Sequence, residues 1–158
     1  MKKIFFLVVL FSTTLFKQGF AQDTTVQHQF SHLLHSYYDI KNALVSGNAS
    51  TTAKNAEQFV TTLNGIDEKT INKESRDALL KDATHISKTD ELKHQREHFA
   101  NFSTNMIALA KSVKLSSQPI YEAYCPMKKA YWLSNEKAIK NPYYGSAMLT
   151  CGSVKETL

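Results

Sequence analysis

The chain has 158 residues, with 19 basic and 14 acidic side chains, a formal charge of +5 and two cysteines. That length suits one domain with a single core and is too short for two ordinary ones. The lysines are interspersed with acids and no basic block exceeds Lys128-Lys129, which argues against a nucleic-acid-binding face.

Met1-Lys2-Lys3 precedes an unbroken apolar run from Ile4 to Leu10, and Gly19 and Ala21 supply small residues beyond it. This is the pattern of a secretory signal over residues 1–21, cleaved after Ala21. The apolar run is shorter than the roughly 18–20 residues that a membrane span needs, and Lys17 and Gln18 interrupt it. A protein exported to the periplasm, with no membrane insertion after cleavage, is expected. Lys2, Lys3 and Lys17 leave with the signal, so the formal charge falls from +5 to +2. Residues 22–158 then form the single domain.

From Asp23 to Ser117 there is no proline, and the only glycines are Gly47 and Gly65, which reads as helices punctuated by turns. The first helix, about 24–46, carries Val26, Phe30, Leu33, Leu34, Tyr37, Ile40 and Leu44 on one stripe. The second, about 50–64, turns Ala53, Ala56, Phe59, Val60 and Leu63 inward. The third, about 67–87, uses Ile71, Ala78, Leu79, Ala83 and Ile86. The fourth, about 90–115, is capped by Thr89 or Asp90 and presents Leu92, Phe99, Phe102, Met106, Leu109 and Val113. These threes and fours build a bundle seam, and short turns make neighbours antiparallel.

All six histidines lie in this part. His28, His32 and His35 share one face of the first helix, opposite Phe30 and Leu33, and read as a polar surface. His85 has no partner in its own helix and is assigned to solvent. His94-Gln95-Arg96-Glu97-His98 matches the H-x-x-E-H zinc signature, which raises a zinc hydrolase using His94, Glu97 and His98. Such an enzyme also needs a third ligand and a cleft, and only sixty residues follow His98. His98 sits beside the apolar stripe next to Phe99, within reach of whatever packs on the bundle.

The last forty residues change style. They hold both cysteines, all three prolines, the single tryptophan and five of the seven tyrosines. Pro119 ends helical structure; residues 120–125 and 130–134 read as extended pieces, because Pro126 disfavours helix at Cys125. Residues 134–137 resemble a helix start, and 141–145 a tight turn. Met127 follows Cys125 by two residues, and Met148 precedes Cys151 by three. Thiolate and thioether are soft donors that prefer Cu(I) and similar ions. Two readings stay open: a disulfide suited to an oxidising compartment, and a Cu(I) site with His98 as a nitrogen donor.

Tyr-Cys-Pro-Met at 124–127, Ala-Tyr-Trp-Leu-Ser at 130–134, Asn-Pro-Tyr-Tyr-Gly-x-x-Met-Leu-x-Cys-Gly at 141–152 and Gln-Arg-Glu-His-Phe at 95–99 resemble the bacterial exported "domain of unknown function 3347" family. Its members stand alone in the periplasm or are appended to copper and silver efflux adaptor subunits. The resemblance implies a helical bundle and heavy-metal handling. Carried onto matching positions, it implies His98, Cys125, Met127, Met148 and Cys151 as metal ligands. The Lys128-Lys129 connection is shorter than in many members.

The expected architecture is therefore mainly α: a four-helix antiparallel bundle with an irregular, short-strand segment, 118–158, packed on it. The expected function is non-enzymatic binding of Cu(I), or of silver, for buffering or for hand-over to periplasmic components of an efflux pump. The alternative is a disulfide-stapled interaction module of the cell envelope without metal, and the third reading is the zinc hydrolase.

Overall fold

The computed structural model describes the backbone of residues 18–158 and side chains from Thr24 onward. The expected leader lies, up to residue 17, outside the described residues. Four helices follow in order: α1 (Gln18–Ser46), α2 (Ala49–Asn64), α3 (Lys73–Ser87) and α4 (Leu92–Ser112). Beyond them lie β1 (Tyr121–Cys125), β2 (Ala130–Ser134), a 3-10 turn (Gly145–Met148) and β3 (Ser153–Thr157). Among the described residues, no helix is long and apolar enough to cross a membrane.

Each helix packs on the next, and the buried stripe is the one set by helical periodicity. Phe30, Leu33, Tyr37, Ile40 and Leu44 from α1 meet Ala56, Phe59 and Leu63 from α2, with Leu79, Ala83 and Ile86 from α3. Phe99, Phe102, Met106 and Leu109 from α4 complete the core. Its centre is aromatic: Tyr37 stacks on Phe99 with ring centroids 5.5 Å apart, and Phe59 meets Phe102 edge-on at 4.7 Å. Offset and edge-on contacts of this kind add to what burial alone provides.

The helix ends are bonded locally. Asn48 caps α2 by accepting the Thr51 N–H, and Asn72 caps α3 by accepting that of Ser75. Buried Arg76 donates to the carbonyls of Leu63 and Ile66, at 2.8 and 2.6 Å, so a cation closes the carboxyl end of α2. The third helix begins at Lys73 rather than near 67, because Asp67 accepts the Lys69 N–H and holds a turn there. The fourth begins at Leu92; Thr89 accepts the Glu91 N–H just ahead of it instead of capping from 90.

The tail folds into a three-stranded antiparallel sheet in the order β2-β1-β3. Strands β1 and β2 occupy the two stretches expected to be extended, and β3 is an addition that no sequence pattern announced. No helix forms at 134–137, where Ser134 accepts the Glu136 N–H in a local turn. The run to Pro142 is too short to offset helix nucleation.

Four ties hold the tail on the bundle. The Tyr37 hydroxyl accepts the Leu133 N–H at 3.0 Å. Arg96 donates to the carbonyls of Pro142 and Leu44, both at 2.9 Å. Lys111 pairs with Glu122 at 2.7 Å and Glu156 at 2.8 Å, and those carboxylates raise its pKa. Tyr143 packs on Phe99, with centroids 5.9 Å apart.

Candidate functional site

Cys125 is the last residue of β1, and Pro126 to Lys129 turn the chain into β2. Cys125 is wholly buried, Cys151 is half-buried, and both thiols are free. Their sulfurs stand 3.9 Å apart. Two N–H groups point at the Cys125 sulfur: the Lys128 backbone at 3.4 Å and the Asn141 side chain at 3.2 Å. Cys151 receives a backbone hydrogen bond from Met127. Burial and the adjoining Cys125 thiol raise the pKa of the Cys151 thiol, and the Met127 donor acts in the opposite sense to lower it.

Asn141 organises the site and was not singled out in the sequence. It is fully buried. Its amide nitrogen donates to the Cys151 carbonyl at 2.8 Å as well as to the Cys125 sulfur, and its side-chain oxygen accepts the Tyr143 N–H at 2.8 Å. One side chain thus fixes both cysteine segments. An asparagine opening a proline-led turn was the available signal.

Trp132 and Tyr143 wall the site, edge to face at 6.1 Å, and the Tyr143 hydroxyl donates to the Tyr131 carbonyl. Burial raises the Tyr143 pKa, so its phenol stays a neutral donor. Gly152 lets the chain pass beneath this wall into β3. Its φ is +145°, and a Cβ there would stand 2.8 Å from the Trp132 ring and 2.9 Å from the Tyr124 carbonyl.

The fold divides the five candidate donors. Cys125 and Cys151 meet, and Met127 and Met148 adjoin Cys151 through their backbones. The Met127 side chain is 63% exposed, so its thioether is presented to solvent, while Met148 is half-buried. His98 goes elsewhere. Arg96, two residues earlier and about 200° round α4, reaches Pro142, so His98 points away from the tail and toward α3. Its ring lies 4.5 Å from that of His85 and 4.6 Å from that of His94. Glu97, the third member of the H-x-x-E-H string, is exposed.

His28, His32 and His35 are all exposed, as expected of a polar face. His28 and His35 line a groove of about 630 Å³ between α1 and residues 116–121, away from the thiols.

The sequence profile described as "Protein of unknown function (DUF3347)" matches residues 33–118. The chain belongs to this family. The DUF3347 match covers the bundle from Leu33 and stops before Pro119, so the tail motifs lie beyond it. No curated protein and no solved structure matches the chain.

Proposed function

We propose that this DUF3347 protein is an exported, non-enzymatic heavy-metal-binding protein. In this reading it holds Cu(I) or Ag(I) between Cys125 and Cys151 and buffers the ion or hands it to an efflux system in the periplasm. The observation that carries the reading is the thiol pair, 3.9 Å apart and free. Two sulfurs that share one ion at about 2.3 Å each stand roughly 3.7–4.6 Å apart, depending on the angle at the metal. The Lys128 and Asn141 N–H groups hold the Cys125 sulfur in place, and Trp132 and Tyr143 keep water from one side. Met148, whose side chain is half-buried, is the better shielded thioether for a third bond, with the exposed Met127 available from the hairpin turn.

A second reading rests on the same proximity. Side-chain rotation brings thiols at 3.9 Å to the roughly 2.05 Å of a disulfide, which would staple β1 to the segment before β3. Closing that loop stabilises by about 3–4 kcal/mol. The protein would then be an envelope interaction module.

Anaerobic titration of the reduced protein with Cu(I), against a chromophoric competitor, separates these readings when set beside a thiol count on exported protein. One Cu(I) per chain, lost in Cys125→Ser/Cys151→Ser, supports metal binding. Unchanged Cu(I) affinity in that variant overturns it, and absence of free thiols in exported protein favours the staple.

A further inference from the structure

We propose that His85, His94 and His98 form a second metal site, for a divalent ion of borderline softness such as Zn²⁺ or Cu²⁺, bridging α3 and α4. Their ligand atoms all lie within 4.8 Å of one another. The arrangement follows from the hairpin. Residues 85 and 94 are equidistant from the centre of the turn between α3 and α4, so they meet across it, and His98 stands one helical turn beyond His94 on the same face. Zinc-bound imidazole nitrogens at about 2.0–2.1 Å lie roughly 3.3 Å apart. Rotation of the exposed His85 ring closes the remaining distance.

Behind the ligands lies a carboxylate that supports them. Asp82 is 94% buried, and one of its oxygens stands 3.6 Å from His98 Nδ1, while the other accepts from the Asn105 amide at 3.2 Å. The His98 Nδ1 atom is buried and has no hydrogen-bond partner among the described residues. A small ring movement toward Asp82 places a proton on Nδ1 and leaves the Nε2 lone pair for the ion. Carboxylates orient metal-binding imidazoles in this way.

Three neutral imidazoles select zinc, copper(II) or nickel over calcium and magnesium, which take oxygen ligands, and over Cu(I), which thiolates hold better. Cu²⁺ is expected to bind more tightly than Zn²⁺. The site is half open, so solvent completes the coordination and the ion exchanges readily. Glu97 lies on the exposed surface of α4, and the proposal gives it no catalytic part.

The test uses protein carrying Cys125→Ser and Cys151→Ser, so its outcome does not depend on the thiol pair. Titration with Zn²⁺ and Cu²⁺ against a competing chelator should give one ion per chain and a raised melting temperature. His85→Gln, at an exposed position, should weaken Zn²⁺ at least tenfold, and Asp82→Asn by about 10–100-fold. A variant with His28, His32 and His35 all changed to Gln should bind as before. Retained affinity in His85→Gln, or loss in the α1 triple variant, overturns the site.

Discussion

The Tyr37 hydroxyl on α1 accepts the backbone N–H of Leu133 on β2, at 3.0 Å, in the middle of the protein. The same hydroxyl shares a 2.7 Å hydrogen bond with Ser103 on α4. One phenol thus joins two helices to the sheet, and burial raises its pKa so that it remains neutral. Tyr37→Phe keeps the aromatic packing but strands the Leu133 N–H. It should cost about 1–3 kcal/mol in a urea unfolding experiment.

Gly145 should tolerate substitution poorly. Its φ is +54°, and an added Cβ would lie 2.7 Å from the Arg96 guanidinium and 2.9 Å from the Val45 carbonyl. Arg96 can shift, but only by giving up its bonds to Pro142 and Leu44. Gly145→Ala should therefore destabilise by about 2–3 kcal/mol, read from the same unfolding curves. A cost below 0.5 kcal/mol would mean that the 3-10 turn repacks freely.

Lys41 makes stability depend on alkaline pH. It is 1% exposed, and burial, reinforced by Lys140 and opposed by Glu136, pulls its pKa from 10.5 down to about 8. Its nitrogen stands 5.7 Å from the centre of the Tyr38 ring. The unfolded chain holds this proton more strongly than the folded one. Stability from this group therefore rises between about pH 8 and pH 10.5, and the cost is fully present below pH 8. Lys41→Met should stabilise the protein at pH 7 by up to the order of 3 kcal/mol. Its advantage over wild type should shrink on titration toward pH 10.5.

The sulfur site predicts its own pH response. The Cys151 thiol has a raised pKa, so in the proposed reading a Cu(I) ion held there would displace its proton at neutral pH. Apparent Cu(I) affinity should rise by up to tenfold per pH unit for each proton released. Competition titrations at two pH values read this directly, and a flat profile would mean that no thiol proton is lost.

The methionines separate by exposure. Met148→Leu conserves volume, so stability should change by less than about 1.5 kcal/mol while Cu(I) affinity falls. Met127→Leu, at a 63% exposed position, should have the smaller effect on affinity. Unchanged affinity in the double variant would leave the two thiols as the only sulfur donors.

The bundle was legible because its information is local. The apolar stripes of α1 and α4 are fixed by a 3.6-residue period, and the residues they select are the buried ones. The strands at 121–125 and 130–134 were legible through Pro126 and the aromatic alternation. What escaped depends on contacts between distant segments. β3 is exposed and polar, and it becomes a strand only because β1 offers an edge. Its Ser-Val-Lys-Glu-Thr sequence carries no such instruction.

The same distinction explains the candidate site. Cys125 and Cys151 were paired in expectation by their chemistry, and the fold brings them together. His98 was assigned to the tail because it adjoins Phe99, although neighbours on a helix differ by about 100° in direction. Arg96 takes the tail-facing position instead, with bonds to Pro142 and Leu44. His85 is exposed, as expected, and also faces His98 and His94 across the hairpin, a contact that its own helix does not encode. Its symmetry with His94 about the turn becomes a contact only once the α3–α4 hairpin closes.

The terminal strand has a consequence for timing. Leu158 and Ile120 exchange backbone hydrogen bonds at 2.9 and 3.1 Å, so the middle strand gains its second neighbour from the last residues in this sequence. Helical hairpins close over short loops, whereas this pairing spans the whole tail and is expected to form later. Until it zips shut, Cys151 is carried on a loose end. A chain in which that closure has not happened would therefore keep its two thiols apart, whatever their later use.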